Sequence, residues 1–163
     1  MGATITFKNL TIGYRSKHQL RAIASSICAS LQADELTCLI GANGVGKSTL
    51  LRTLAGFQPA LEGEIQLSVK QPASSSSDVP KDYSSQLSSK TSGKSLSAFS
   101  AQELARIIGV VLTSKPDVTQ LTVKEVVGIG RSPYTNFWGT LSSSDHQIVD
   151  DAIRQVGIPH LAS

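Results

Sequence analysis

The sequence predicts an α/β fold, and three observations carry that expectation. Leu36-Thr37-Cys38-Leu39-Ile40 is a short apolar run ending in Gly41, the pattern of a strand buried on both faces of a parallel sheet. A glycine-rich segment and then a helical pattern with Leu50, Leu51 and Leu54 follow it directly. Beyond these, strand-like and helix-like stretches alternate, with more helix toward the C-terminal side, as in a mostly parallel sheet with helices around it.

Taken in order, residues 4–14 place Ile5, Phe7, Leu10 and Ile12 at a period of two with one slip, which predicts a strand with a bulge. Arg15 to Gln19 is a polar turn. Leu20, Ala22 and Ala24, then Ile27, Ala29 and Leu31, predict a second, edge-type strand. The helix after Gly41 begins near Lys47 and is stopped by Gly56-Phe57-Gln58-Pro59. Glu64-Ile65-Gln66-Leu67 starts another strand. Residues 68–100 then hold 13 serines in 33 positions and almost no apolar periodicity. Such a stretch buries too little apolar area to offset its ordering entropy, so 70–95 reads as a disordered insertion.

Ser100-Ala101-Gln102-Glu103 is a capping-box pattern that opens a short helix through Arg106. Ile107 to Leu112 predicts the next buried strand. Thr122-Val123-Lys124-Glu125 repeats the capping box and opens a helix to about Gly130. Arg131–Tyr134 and Asn136–Gly139 form an irregular aromatic loop. Ser142 or Ser144 caps a third helix with Val149, Ala152, Ile153 and Val156 on one face, ended by Gly157 and Pro159.

At 163 residues and 17.2 kDa the chain is one domain or part of a larger one. The net charge is +3, and residues 68–100 alone account for +2 through Lys70, Lys81, Lys90 and Lys94 against Asp78 and Asp82. No basic face with interleaved aromatics remains, which argues against a nucleic-acid partner. No apolar run approaches the length of a transmembrane helix, and the N-terminus lacks the basic-then-apolar pattern of a secretory signal. Cys28 and Cys38 read as buried small hydrophobes rather than as a disulfide or a zinc site.

The strongest chemical signal is Gly41-Ala42-Asn43-Gly44-Val45-Gly46-Lys47-Ser48-Thr49, which matches G-x-x-x-x-G-K-[ST]. Gly41, Gly44 and Gly46 allow tight turns that converge successive N–H groups on one point. The helix N-terminus that follows adds partial positive charge there. Lys47 can neutralise the β- and γ-phosphates of a nucleotide. Ser48 can bind Mg²⁺, which takes few protein ligands plus phosphate oxygens. Thr49 supplies another hydroxyl nearby.

Residues 41–49 resemble the Walker A motif of ATP-binding cassette (ABC) ATPases. Asn9-Leu10-Thr11-Ile12-Gly13-Tyr14 is similar to the family's first strand, with Tyr14 at the position of the aromatic ring that stacks on adenine. Leu121 through Tyr134 resembles the start of the family's helical subdomain. Its Gly-Arg-x-Pro element, together with Trp138-Gly139-x-Leu141-Ser142 and Asp145, is similar to the subfamily serving iron–siderophore, haem and vitamin B12 importers. The resemblance implies a P-loop NTPase core of ABC type, incomplete, with antiparallel β strands at the N-terminus and the start of the helical subdomain. It divides the chain into core residues 1–67 and 96–113, a Ser-rich insertion at 68–95 and the subdomain start at 114–163.

The resemblance further implies a nucleotide site of Tyr14, Gly41, Asn43, Gly44, Gly46, Lys47, Ser48 and Thr49, with ATP and Mg²⁺ as cofactors. Its partners would be a second copy of the domain and a membrane permease, on the cytoplasmic face of the membrane. Where the family has a metal-facing glutamine, this sequence has Thr113, a shorter side chain. Gln120 lies out of register. The signature motif, the Walker B carboxylates and the switch histidine all come after the last helix here in the family. His18, His146 and His160 do not stand in for that histidine, and Asp150-Asp151 follows no apolar strand. No catalytic residue is therefore identified, and the chain, read as truncated, is expected to bind nucleotide without hydrolysing it alone. A soluble non-transport ABC ATPase and a non-catalytic binding module are the alternatives.

Overall fold

A computed structural model describes residues 2–17, 19–70, 93–112 and 120–162. The chain forms two compact units, Met1–Leu104 and Ala105–Ser163.

The first unit is built on a four-stranded antiparallel sheet in the order β2-β1-β3-β4, from β1 (Gly2–Arg15), β2 (Leu20–Leu31), β3 (Glu62–Lys70) and β4 (Lys94–Ser95). The slip in the apolar pattern of β1 is a real irregularity. Its pairing with β2 shifts register between Phe7 and Gly13, and Asn9 takes a φ of 48°. The helix α1 (Lys47–Leu54) buries Thr49, Leu50, Thr53 and Leu54 and leaves Leu51 outside. Its buried side chains join Phe7, Leu10, Ile12, Ile65, Leu67 and Leu96 as the buried apolar residues of this unit. Thr53 is almost fully buried, and its hydroxyl donates to the Thr49 carbonyl at 2.8 Å. Gln58 Nε2 donates both to Thr53 Oγ1 and to the Gly13 carbonyl, at 3.1 and 3.3 Å, tying the end of α1 to β1.

The capping box at Ser100 forms as expected. Glu103 N donates to Ser100 Oγ at 3.2 Å, and Ser100 N donates to Glu103 Oε2 at 2.7 Å, at the start of α2 (Ala101–Ile107). Of the Ser-rich stretch, residues 71–92 lie outside the described residues. Its ends do not conform to the expected insertion. Residues 68–70 continue β3, and Lys94 and Ser95 pair with Leu67 and Gln66.

Three expectations are corrected. Leu36–Ile40 and Ile108–Leu112 carry no secondary structure, and Leu36, Ile40 and Val111 are 95%, 90% and 98% exposed. A parallel strand takes its hydrogen bonds and its burial from neighbouring strands, and among the described residues none pairs with either segment. The mostly parallel sheet is thus not formed among these residues, and the sheet they do form is antiparallel. Cys28 and Cys38 are exposed for related reasons. Cys38 lies in the unpaired segment. Cys28 Sγ sits outside the core and accepts from Asn9 N at 3.2 Å, where the strands shift register.

The second unit holds α3 (Val123–Ile129) and α4 (Ser143–Gln155). Both start on complete capping boxes, Thr122 with Glu125 and Ser142 with Asp145. Val149 and Ile153 of α4 are buried, but Val156 lies past the helix end and is exposed. Lys124 on α3 and Asp150 on α4 pair at 2.7 Å. Among the described residues no helix is long and apolar enough to cross a membrane.

Candidate functional site

The loop before α1 gets its shape from two glycines. Gly44 and Gly46 take φ of 82° and 108°, in the left-handed region that L side chains avoid. Gly46 has a second constraint, since a Cβ there would lie 2.8 Å from Ile23 Cγ2. Gly41 has no such φ. It contributes its carbonyl, which accepts from Lys47 Nζ at 2.6 Å, while the Ala42 carbonyl accepts at 2.8 Å. The lysine therefore lies over its own loop.

Gly46 caps α1 with no side-chain hydrogen bond, and the first turn carries no acidic residue. The positive end of the helix is thus left without a carboxylate of its own, which suits an anion.

One cavity of about 360 Å³ opens at this point. Asn43, Gly44, Gly46, Lys47, Ser48 and Thr49 line it from the loop and helix, and Tyr14, Arg21 and Ile23 line it from β1 and β2. Seven of the eight residues predicted for a nucleotide site come together here; Gly41 stands just outside the lining. Tyr14 is half exposed, and its phenolic oxygen lies 3.2 Å from Thr49 Oγ1. Ser48 is exposed and lines the cavity with a free hydroxyl among the described residues. Thr113, the other metal candidate, lies outside the described residues, as does His18.

Arg21 and Ile23 are the lining residues that sequence reasoning missed. A signal was present: the turn closes with Ser16 N donating to the Gln19 carbonyl at 2.9 Å, and pairing outward from it sets Tyr14 opposite Arg21.

In the second unit, the two parts of the subfamily-like pattern are physically joined. Arg131 Nε donates to Asp145 Oδ1 at 2.8 Å, and its guanidinium lies 4.1 Å from the centre of the Tyr134 ring. Asp145 is buried and also accepts from the Ser142 hydroxyl at 2.6 Å and the Ser142 N–H at 3.0 Å. These donors, the Ser142 hydroxyl first, hold its carboxyl at about 2, below the usual 3.8. Phe137 and Trp138 form an exposed edge-to-face pair with ring centres 5.7 Å apart.

Residues 25–163 match the family described as ABC transporter. An ABC transporter ATP-binding protein of Haemophilus influenzae is 34% identical over 95% of this chain and 48% of its own length. The achromobactin transport ATP-binding protein of Dickeya dadantii is 31% identical over 97% of this chain and 48% of its own. The ferric enterobactin transport ATP-binding protein of Escherichia coli is 28% identical over 98% and 49%. The chain thus spans about half the length of the curated relatives it matches. A solved inward-facing structure described as a metal-chelate type ABC transporter shares the fold, with a TM-score of 0.60 over 99% of this chain and 48% of that one at 23% identity.

Proposed function

The chain belongs to the ABC transporter family, and from that premise we propose that it forms the nucleotide-binding part of an importer ATPase for a ferric siderophore or haem. The observation that carries the ATP site is the convergence of Tyr14 with Lys47, Ser48 and Thr49 on one cavity, from elements far apart in the chain. In this reading the adenine ring lies on Tyr14, and the phosphates take the N–H groups of the Gly44–Thr49 loop and the Lys47 ammonium. Lys47 would exchange the carbonyls of Gly41 and Ala42 for phosphate oxygens.

The donor set also fits Mg²⁺: Ser48 brings one hard oxygen ligand, and the phosphates bring the others. Bound there, the ion would offset phosphate charge. Thr113 is proposed as a second, weaker metal-facing hydroxyl. The lining residues include no carboxylate among the described residues, so the site offers a cradle without a base. We read the 163 residues as binding nucleotide without turning it over by themselves. The importer assignment is supported by relatives named for achromobactin and ferric enterobactin transport, and for hemin import. A second copy and a membrane permease would be the partners, on the cytoplasmic face.

Equilibrium titration with a fluorescent ATP tests the site. Wild-type chain should bind, and Lys47→Ala should lower affinity by about tenfold or more. Equal affinity for the two would remove the reading. ATP turnover that is abolished by Lys47→Ala would remove the claim that the chain does not hydrolyse.

A further inference from the structure

We propose that Arg21 is a second phosphate-binding cation of this site, holding the phosphate chain of the nucleoside triphosphate beside Lys47; the proposal rests on reading the cavity as an ATP site. The hairpin register sets Tyr14 directly opposite Arg21, and directly opposed residues of an antiparallel pair share a face. Both therefore line the same wall of the cavity, with Ile23 two residues further along. The strands are pressed together at this point. A Cβ on Gly13 would lie 2.1 Å from the Arg21 carbonyl oxygen, so only glycine at 13 admits the approach that sets Arg21 beside the ring.

Charge gives the ligand class. Arg21 and Lys47 are the two basic side chains of the lining, and the lining includes no carboxylate among the described residues. The Lys47 ammonium is held by two loop carbonyls. Arg21 makes no hydrogen bond or ion pair among the described residues. A guanidinium left unpaired in the same cavity as a helix N-terminus is matched by an anion with several oxygens, and its fixed fork suits phosphate. Tyr14 already supplies an aromatic face for a base, so the guanidinium's part is with the charged end of the ligand.

The test titrates the full chain with ATP and with adenosine, by displacement of a fluorescent ATP, for wild type, Arg21→Gln, Arg21→Lys and Lys47→Ala, each at two salt concentrations. Circular dichroism checks that each variant is folded. Arg21→Gln should weaken ATP by about tenfold at low salt, leave adenosine unchanged and make the salt dependence shallower. Arg21→Lys should fall between, because it keeps the charge and loses the fork. Wild-type ATP affinity in Arg21→Gln, with Lys47→Ala still impaired, would overturn the proposal and leave the site reading standing. Equal losses for ATP and adenosine would overturn the phosphate assignment in favour of a base contact. No difference between wild type and Lys47→Ala would overturn the site reading and this proposal with it.

Discussion

The phenolic oxygen of Tyr14 lies 3.2 Å from the Thr49 hydroxyl, across 35 residues of chain. The contact fixes the ring over the start of α1, so that an aromatic face and a phosphate-type loop address the same space. The ring and its hydroxyl should be separable. Tyr14→Ala removes the stacking face and should weaken ATP binding by about tenfold or more, since base–aromatic stacking contributes about 1–3 kcal/mol. Tyr14→Phe loses only the contact to Thr49 and should stay within about threefold of wild type. Equal losses in the two variants would show that the hydroxyl, not the ring, carries the effect.

Gly46 is strained for any other residue in two ways, and they can be told apart by mutation. Gly46→Ala meets both the left-handed φ of 108° and the 2.8 Å approach to Ile23 Cγ2. Gly44→Ala meets only its φ of 82°, with open space around it. Gly44→Ala should cost about 1 kcal/mol in thermal unfolding, and Gly46→Ala more. Trimming Ile23 to Ala should recover part of the second loss and none of the first. Additive double-mutant effects would show that the Ile23 contact does not matter.

How far the sequence could be read follows from the range of the interactions involved. The loop at 41–49 and the capping boxes at Ser100, Thr122 and Ser142 depend on a few consecutive residues, and the structure forms them as expected. Tyr14 was found only through the family resemblance, because nothing local says that β1 ends against α1. Arg21 escapes a local reading because its place is set by pairing across the hairpin with Tyr14, not by its neighbours along β2. Leu36–Ile40 and Ile107–Leu112 mislead for the opposite reason. Their composition is that of buried strands, but a strand exists only with partners.

Those two segments should make the chain self-associate. Leu36, Ile40 and Val111 present almost their whole side chains to solvent, and Leu39, Val110 and Leu112 about half of theirs. Exposed apolar segments with unpaired backbone groups invite pairing with another copy. Light scattering should show association that grows with concentration. Leu36→Lys with Val111→Lys should reduce it, since charge on an unpaired strand opposes edge pairing. The affinity for ATP should be unchanged, because neither residue lines the cavity. A wild-type chain that stays monomeric as concentration rises would count against this account.

The Asp145 cluster should give the second unit an acid-sensitive joint. Its carboxyl titrates at about 2 in the folded chain against an ordinary 3.8, because the Ser142 hydroxyl and N–H, and then Arg131, donate to the charged form. A lowered folded value means that the stabilisation is complete above the unfolded value and is lost as pH falls through the folded one. The helical signal of α4 should therefore weaken between about pH 4 and pH 2, and Asp145→Asn should flatten that part of the profile. The Thr122 N–H and hydroxyl also hold the Glu125 carboxyl below its ordinary value, and Lys124 does the same for Asp150, so the difference between wild type and Asp145→Asn is the quantity to read. Ser142→Ala should cost about 1 kcal/mol as a lost cap. It should also move Asp145 back toward the ordinary range further than Arg131→Gln does, as followed by the carboxyl chemical shift. A larger shift from Arg131→Gln would mean that the ion pair, rather than the cap, holds the proton off.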